Sequence, residues 1–117
     1  MVIRELAETF AVHWIEAWNS HDLEKILSHY TDDFEMSSPY IVQIANEPSG
    51  KLIGKRAVGA YRSAALERMP TLYFSLIKVL AGVDSVTIYY QGVRGLAAEV
   101  FFFSESGLVE RACAHYE

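Results

Sequence analysis

From position 3 onward the apolar residues Ile3, Leu6, Ala7, Phe10, Trp14, Ala17 and Trp18 recur at the three-then-four spacing of one helical face. Glu5, Glu8, Thr9 and Glu16 take the opposite face, and the helix is expected to end within Asn19-Ser20-His21, residues that favour caps and turns. Asp22 is placed to cap a second, shorter helix whose buried stripe is Leu23, Ile26, Leu27 and Tyr30. Thr31-Asp32-Asp33 then offers turn chemistry before the period changes. Phe34, Met36, Ser38 and Tyr40 alternate with Glu35, Ser37 and Pro39, so residues 34–40 read as a half-buried strand, extended through 41–45 and marked by Pro39 as an edge or bulge.

Asn46-Glu47-Pro48-Ser49-Gly50 is the most turn-rich stretch of the chain. Gly54 opens a third helix whose face is Ala57, Val58, Tyr61, Ala64, Ala65 and Met69, and Pro70 stops it. Strand-like runs follow at residues 72–80, 86–90, 96–103 and 108–116, separated by short turns. Connections this short make neighbouring strands antiparallel. The pattern therefore predicts an α+β fold with three helices covering one face of a curved, mostly antiparallel sheet, in the order α-α-β-α-β-β-β-β, as one domain over residues 1–117.

Composition narrows the function classes. Fifteen acidic residues against ten basic ones give a net charge of −5, and the densest basic grouping holds only Lys51, Lys55, Arg56 and Arg62. Such a chain is a poor partner for phosphate backbones, so no nucleic acid is expected. No uncharged stretch approaches the roughly 18 apolar residues of a membrane helix, so no membrane partner is expected either. Cys113 is the only cysteine, which excludes an intramolecular disulfide and fits a cytoplasmic location. His13, His21, His29 and His115 lack metal-ligand spacing, so no metal site is expected.

Several words of the sequence, taken in order, resemble the SnoaL-like branch of the nuclear transport factor 2-like superfamily. They are residues 14–23 from Trp14 to Leu23, then His29-Tyr30-Thr31-Asp32-Asp33-Phe34 with Ser38-Pro39, and residues 50–55 ahead of Tyr61. Residues 81–86 and the closing Arg111-Ala112-Cys113-Ala114-His115-Tyr116 complete the set. The resemblance implies a cone-like, cystatin-like sheet enclosing a pocket, and dimerisation through the outer sheet face. It implies no particular reaction, because the superfamily holds ketosteroid isomerases, polyketide cyclases, dehydratases, epoxide hydrolases and proteins without chemistry. Set against the isomerase pattern, Trp14 stands where a tyrosine donor would be, Ser38 where the carboxylate base would be, and Glu99 where a protonated acid would be. A serine without a base beside it cannot abstract a carbon-bound proton, so steroid isomerisation is disfavoured.

Glu99 is the candidate catalytic residue. It shares one strand face with Ala97, Phe101 and Phe103, and apolar surroundings make a carboxyl group harder to ionise. Trp14 and Trp18 on the first helix stripe, with Tyr30 and Tyr61 on the stripes of the other two, make an aromatic box. Phe101 lies on the face of Glu99, Ser38 is placed to orient a ligand, and the resemblance turns Tyr40, Ala112, Ala114 and Tyr116 toward the same pocket. Small Ala112 and Ala114 leave room there.

The expected protein is a SnoaL-like binder of a small hydrophobic or polycyclic molecule, with isomerase, cyclase or hydrolase chemistry resting on acid/base action of Glu99 and needing no cofactor. The alternative is a noncatalytic ligand-binding or protein-interaction module. A homodimer is expected through an outer sheet face on which Leu72, Phe74, Leu76 and Leu80 lie together, next to Ala98, Val100 and Phe102.

Overall fold

The structure is a computed structural model that describes residues 2–117. Helix α1 (Arg4–Ser20) buries Ala7, Ala11, Trp14, Ile15, Ala17 and Trp18 on the expected stripe and ends at His21, whose positive φ of 60° forms a left-handed cap. Asp22 caps α2 (Leu23–Leu27), its carboxylate accepting from the backbone N–H groups of Glu24 at 3.1 Å and Lys25 at 3.3 Å. Six strands follow: β1 (Tyr30–Ser37), β2 (Lys51–Ile53), β3 (Ser75–Ala81), β4 (Ser85–Gln91), β5 (Leu96–Phe103) and β6 (Val109–Tyr116). They form one sheet in the order β2-β1-β6-β5-β4-β3, in which β1 and β6 run parallel and every other neighbouring pair is antiparallel. Helices α3 (Pro39–Ile44) and α4 (Lys55–Arg68) complete the α+β architecture.

Three local expectations are corrected. Residues 39–44, expected as strand, are helix α3, because Ser38 caps it by accepting from the Tyr40 N–H at 3.2 Å and Pro39 occupies its first turn, where a missing N–H costs nothing. The Ser-Pro pair is thus a helix start, and it gives the fold four helices. Tyr30 belongs to β1, not to the stripe of α2, which stops at Leu27. The short edge strand β2 pairs antiparallel to β1 over residues read as a plain connection.

The outer-face grouping on the third strand is also corrected. Leu72 and Phe74 precede β3 and are buried, tied to α1 by Asn19, whose side chain donates to the Phe74 carbonyl at 2.9 Å and accepts from its N–H at 2.7 Å. An irregularity between Leu76 and Lys78 then shifts the alternation, so Leu76 pairs with Tyr90 and Leu80 with Thr87 on opposite faces. The outward face that remains apolar is built from Leu80, Tyr89, Ala98, Val100 and Phe102.

The inward face carries three cross-strand rows under the helices. Tyr90, Ala97 and Tyr116 form one, Ile88, Glu99 and Ala114 the next, and Val86, Phe101 and Ala112 the third. Gly54 sets the start of α4 with φ 92° and ψ 150°, a conformation open to glycine alone at little cost, while its N–H bonds to the Phe34 carbonyl at 2.8 Å. This anchor fixes α4 across the sheet so that Val58, Tyr61, Arg62 and Ala65 face inward.

Candidate functional site

Glu99 sits in the middle row of the sheet, flanked by Ile88 and Ala114, with only 3% of its surface exposed. Burial pushes its carboxyl up to about 7 from an ordinary 4.5, and the Arg62 guanidinium pulls the other way without overcoming it. Oxygen Oε2 is buried and has no hydrogen-bond partner. A half-ionised carboxyl with a free lone pair in an apolar setting is suited to proton transfer near neutral pH.

The second charged group is one that the sequence reading missed. Arg62 falls in the densest basic grouping of the sequence, yet it is 1% exposed on the inward side of α4. The signal was present: Arg62 lies four residues after Val58 and three before Ala65, inside the helix stripe already drawn. Its Nη2 donates to the Tyr30 hydroxyl at 3.1 Å and contacts Met36 Sδ at 3.6 Å, while Nε and Nη1 have no partner. The guanidinium carbon lies 4.4 Å from the Tyr30 ring centroid, 5.4 Å from that of Phe34 and 5.5 Å from that of Trp18. No carboxylate lies within ion-pair distance of it: among the described residues the ion pairs are Arg4–Glu8 and Lys55–Asp32.

Glu99 and Arg62 line one cavity of about 60 Å³, together with Trp14, Trp18, Tyr61 and Tyr90. Its mouth is formed by Tyr40 on α3, Tyr116 on β6 and the turn at residues 92–95. The rings of Tyr40 and Tyr116 stack at 4.1 Å with an interplanar angle of 16°, and the guanidinium of Arg94 lies 5.0 Å from the Tyr40 ring centroid. Burial pushes the phenols of Tyr61, Tyr90 and Tyr116 upward, so they stay protonated and able to donate. The Ser38 hydroxyl near both Tyr61 and Tyr116 offsets part of that rise.

Of the residues expected at the pocket, Trp14, Trp18, Tyr40, Tyr61, Glu99 and Tyr116 stand on the cavity wall. Tyr30, Ser38, Phe101, Ala112 and Ala114 do not, for distinct physical reasons. The Tyr30 hydroxyl has its acceptor side occupied within the core, accepting from Trp14 Nε1 at 3.0 Å and from Arg62 at 3.1 Å. Trp14 has therefore no N–H left for a ligand, and its role is to hold Tyr30. Ser38 acts as a helix cap, and Phe101 is wedged edge-on between Phe10 and Trp14, with centroids 5.0 and 5.2 Å away. Ala112 and Ala114 are covered by packed side chains, so their small size makes room for the core instead of opening a void.

A larger groove of about 620 Å³ lies at the other end of α1, lined by Leu6, Phe10, His13, His29, Val83 and Phe103 among others. None of the residues with buried, unpartnered polar atoms lines it: Trp18, Arg62 and Glu99 line the smaller cavity, and Thr31 lines neither. Chemistry and size thus point to different places, and the chemistry decides. Asp32 and Asp33 are exposed, Asp32 pairing loosely with Lys55 at 3.7 Å. Cys113 is half-buried on the outer face near Arg111. No metal-holding cluster of His, Cys, Asp and Glu occurs among the described residues, and none of their helices is long and apolar enough to cross a membrane.

The family model for the SnoaL-like domain matches residues 11–116. A SnoaL-like protein of unknown function from Burkholderia thailandensis, known from its crystal structure, is 56% identical and superposes with a TM-score of 0.95, covering 99% of this chain and 98% of its own. A SnoaL-like family member from Agrobacterium tumefaciens, named as a candidate isomerase, shares the fold at 15% identity and a TM-score of 0.75, over 94% of this chain and 96% of that one. TerC, co-crystallised with polyporic acid, does so at 12% identity and a TM-score of 0.75, over 96% and 92% of the two chains. None of the curated proteins matches the chain.

Proposed function

The chain belongs to the SnoaL-like domain family, and we propose that its cavity binds a small, largely apolar metabolite on which Glu99 acts by proton transfer. The observation that carries this reading is the state of Glu99: buried, pushed to about 7, with Oε2 unpartnered, beside a void. A carboxyl group divided between its two protonation states is an acceptor in one step and a donor in the next. From a β,γ-unsaturated carbonyl compound it takes a proton from the carbon next to the carbonyl, the C–H pair forming a new carbon–carbon double bond as the carbonyl pair moves to oxygen. It returns the proton to the γ-carbon as the carbonyl re-forms and the double bond shifts. The balance closes without a cofactor, and the outcome is an isomerisation; the same step opens a cyclisation. Protonated Tyr61 and Tyr116 are donors for the oxygen on which charge develops.

The small volume of the cavity favours a second reading, a noncatalytic ligand-binding or interaction module, since about 60 Å³ is roughly two waters' share of liquid. Incubation with cyclic ketones in D₂O separates the two. Catalysed deuterium uptake at the carbon next to the carbonyl, lost in Glu99→Gln, supports proton transfer; uptake unchanged by the substitution or at the buffer rate refutes it.

We also propose that two copies of the chain pair through the outer sheet face. Its support is that the helices cover only the inward face, leaving Leu80, Tyr89 and Val100 together on the other.

A further inference from the structure

We infer that Arg62 and Trp18 form a buried seat for a carboxylate, and that the ligand of this cavity is a small apolar or aromatic acid bound as its anion. This rests on the reading of the cavity as a ligand site, and it adds a charged group to the small hydrophobic or polycyclic molecule expected from sequence.

A guanidinium carries its charge at any working pH, and a buried charge is tolerated only when paired and hydrogen-bonded. Arg62 meets half of that condition. Three aromatic rings enclose it and Tyr30 takes one of its donors, yet Nε and Nη1 remain unpartnered and no carboxylate comes within 4.0 Å. Trp18 Nε1 is a further buried donor without an acceptor, and its residue lines the same cavity. The unmet polar demand is thus mostly for acceptors: two guanidinium edges and one indole N–H. A carboxylate supplies acceptors for it, one oxygen taking a charge-assisted hydrogen bond from a guanidinium edge and the other accepting from the indole N–H.

Glu99 does not fill this role, because it stands beyond ion-pair distance and keeps its own Oε2 free. Its presence is still compatible with a bound anion. Desolvation already favours its neutral form, and a second negative charge nearby favours it further, so toward a bound anion its O–H is one more donor, and its action as a base is confined to neutral carbonyl ligands. The charge then balances: one guanidinium, one ligand carboxylate and a neutral acid. The dimensions agree as well, since about 60 Å³ admits a head group of a few heavy atoms and leaves the remainder of the ligand to extend toward Tyr61 and the Tyr40–Tyr116 mouth. At that mouth Arg94 adds positive charge, while Glu117 is held by the Leu96 N–H through Oε1 at 3.0 Å.

The test is titration of the full chain with benzoate and with benzamide, which share a ring and differ in charge, followed by NMR on the Trp18 indole N–H. Benzoate should bind at least about tenfold more tightly than benzamide, the size of charge-assisted hydrogen bonds, and should move the Trp18 Nε1–H resonance downfield. Arg62→Met should erase the preference and Arg62→Lys should restore part of it; should the Met variant not fold, the wild-type comparison alone decides. Equal affinities, or no saturable benzoate binding up to about 10 mM, overturn the inference. Tight benzoate binding without deuterium exchange into ketones would retire the proton-transfer reading and leave this one standing. Exchange without a carboxylate preference would do the reverse.

Discussion

Tyr30 and Arg62, thirty-two positions apart in the chain, meet in the core where Nη2 of the guanidinium donates to the phenolic oxygen at 3.1 Å. The same oxygen accepts from Trp14 Nε1 at 3.0 Å, so one hydroxyl fixes a side chain from α1 and another from α4 on β1. Tyr30→Phe keeps the ring beneath the guanidinium and removes only the acceptor. Two buried donors are then orphaned at about 1–3 kcal/mol each, so urea unfolding should show a loss of about 2–6 kcal/mol. Tyr73→Phe, at a residue 68% exposed, is the control and should change stability by less than about 0.5 kcal/mol.

Glu99 links stability to pH in a direction opposite to that of most carboxylates. Its folded value near 7 lies above the ordinary 4.5, so between those two values the folded chain holds more protons than the unfolded one. Its contribution is therefore fully favourable below pH 4.5 and is lost as pH rises through about 7. At about 1.36 kcal/mol per unit the loss amounts to roughly 3 kcal/mol. Glu99→Gln, which cannot ionise, should stay within about 1 kcal/mol of the wild type at pH 5 and exceed its stability by up to about 3 kcal/mol at pH 8. Urea unfolding of both proteins at the two pH values checks this. A variant weaker than the wild type at pH 8 would instead mark Glu99 as a stabilised anion paired with Arg62.

What could be read from the chain beforehand divides along physical lines. Glu99 was legible because a single carboxylate amid apolar neighbours on both strand faces has few places to go but the core. The α1 stripe and the four-strand meander were legible because long periodic runs leave little choice of face. Arg62 was not, since a charge inside a helix stripe is discounted in favour of solvent, and its burial depends on Tyr30, Phe34 and Trp18 converging from elements distant in sequence. The residues at 39–44 carry both an alternating pattern and a Ser-Pro helix start, and the cap prevailed. The irregularity near Ile77 leaves no local mark, yet it moves Leu76 and Leu80 to opposite faces. Five expected pocket residues fell outside the wall because facing inward does not distinguish core from cavity.

The proposed pairing through the outer sheet face is tested at Val100. This residue stands between Thr87 and Cys113 near the centre of that face, with Tyr89, Ala98 and Phe102 around it. In a two-fold interface one substitution enters twice, so Val100→Glu places two carboxylates on facing apolar surfaces. Sedimentation at micromolar concentration should give two chains for the wild type and one for the variant, with unchanged far-ultraviolet circular dichroism. A wild-type monomer would end the proposal.

The Tyr40–Tyr116 stack borders the cavity and is expected to govern entry to it. Tyr40 lies between the Tyr116 ring, 4.1 Å away, and the Arg94 guanidinium at 5.0 Å, joining α3, β6 and the β4–β5 turn across the opening. A ligand larger than the head group must pass these rings, because about 60 Å³ does not contain it. Parting an aromatic pair and a cation–π contact costs about 1–2 kcal/mol, which slows association by roughly tenfold relative to an open mouth. Tyr40→Leu should therefore raise the association rate of benzoate severalfold to tenfold, read as tryptophan fluorescence in a stopped-flow instrument. The dissociation rate should rise by a similar factor, since the same barrier is crossed in both directions, leaving affinity within about twofold. An affinity loss with an unchanged association rate would instead make Tyr40 a part of the binding surface and leave entry to some other path.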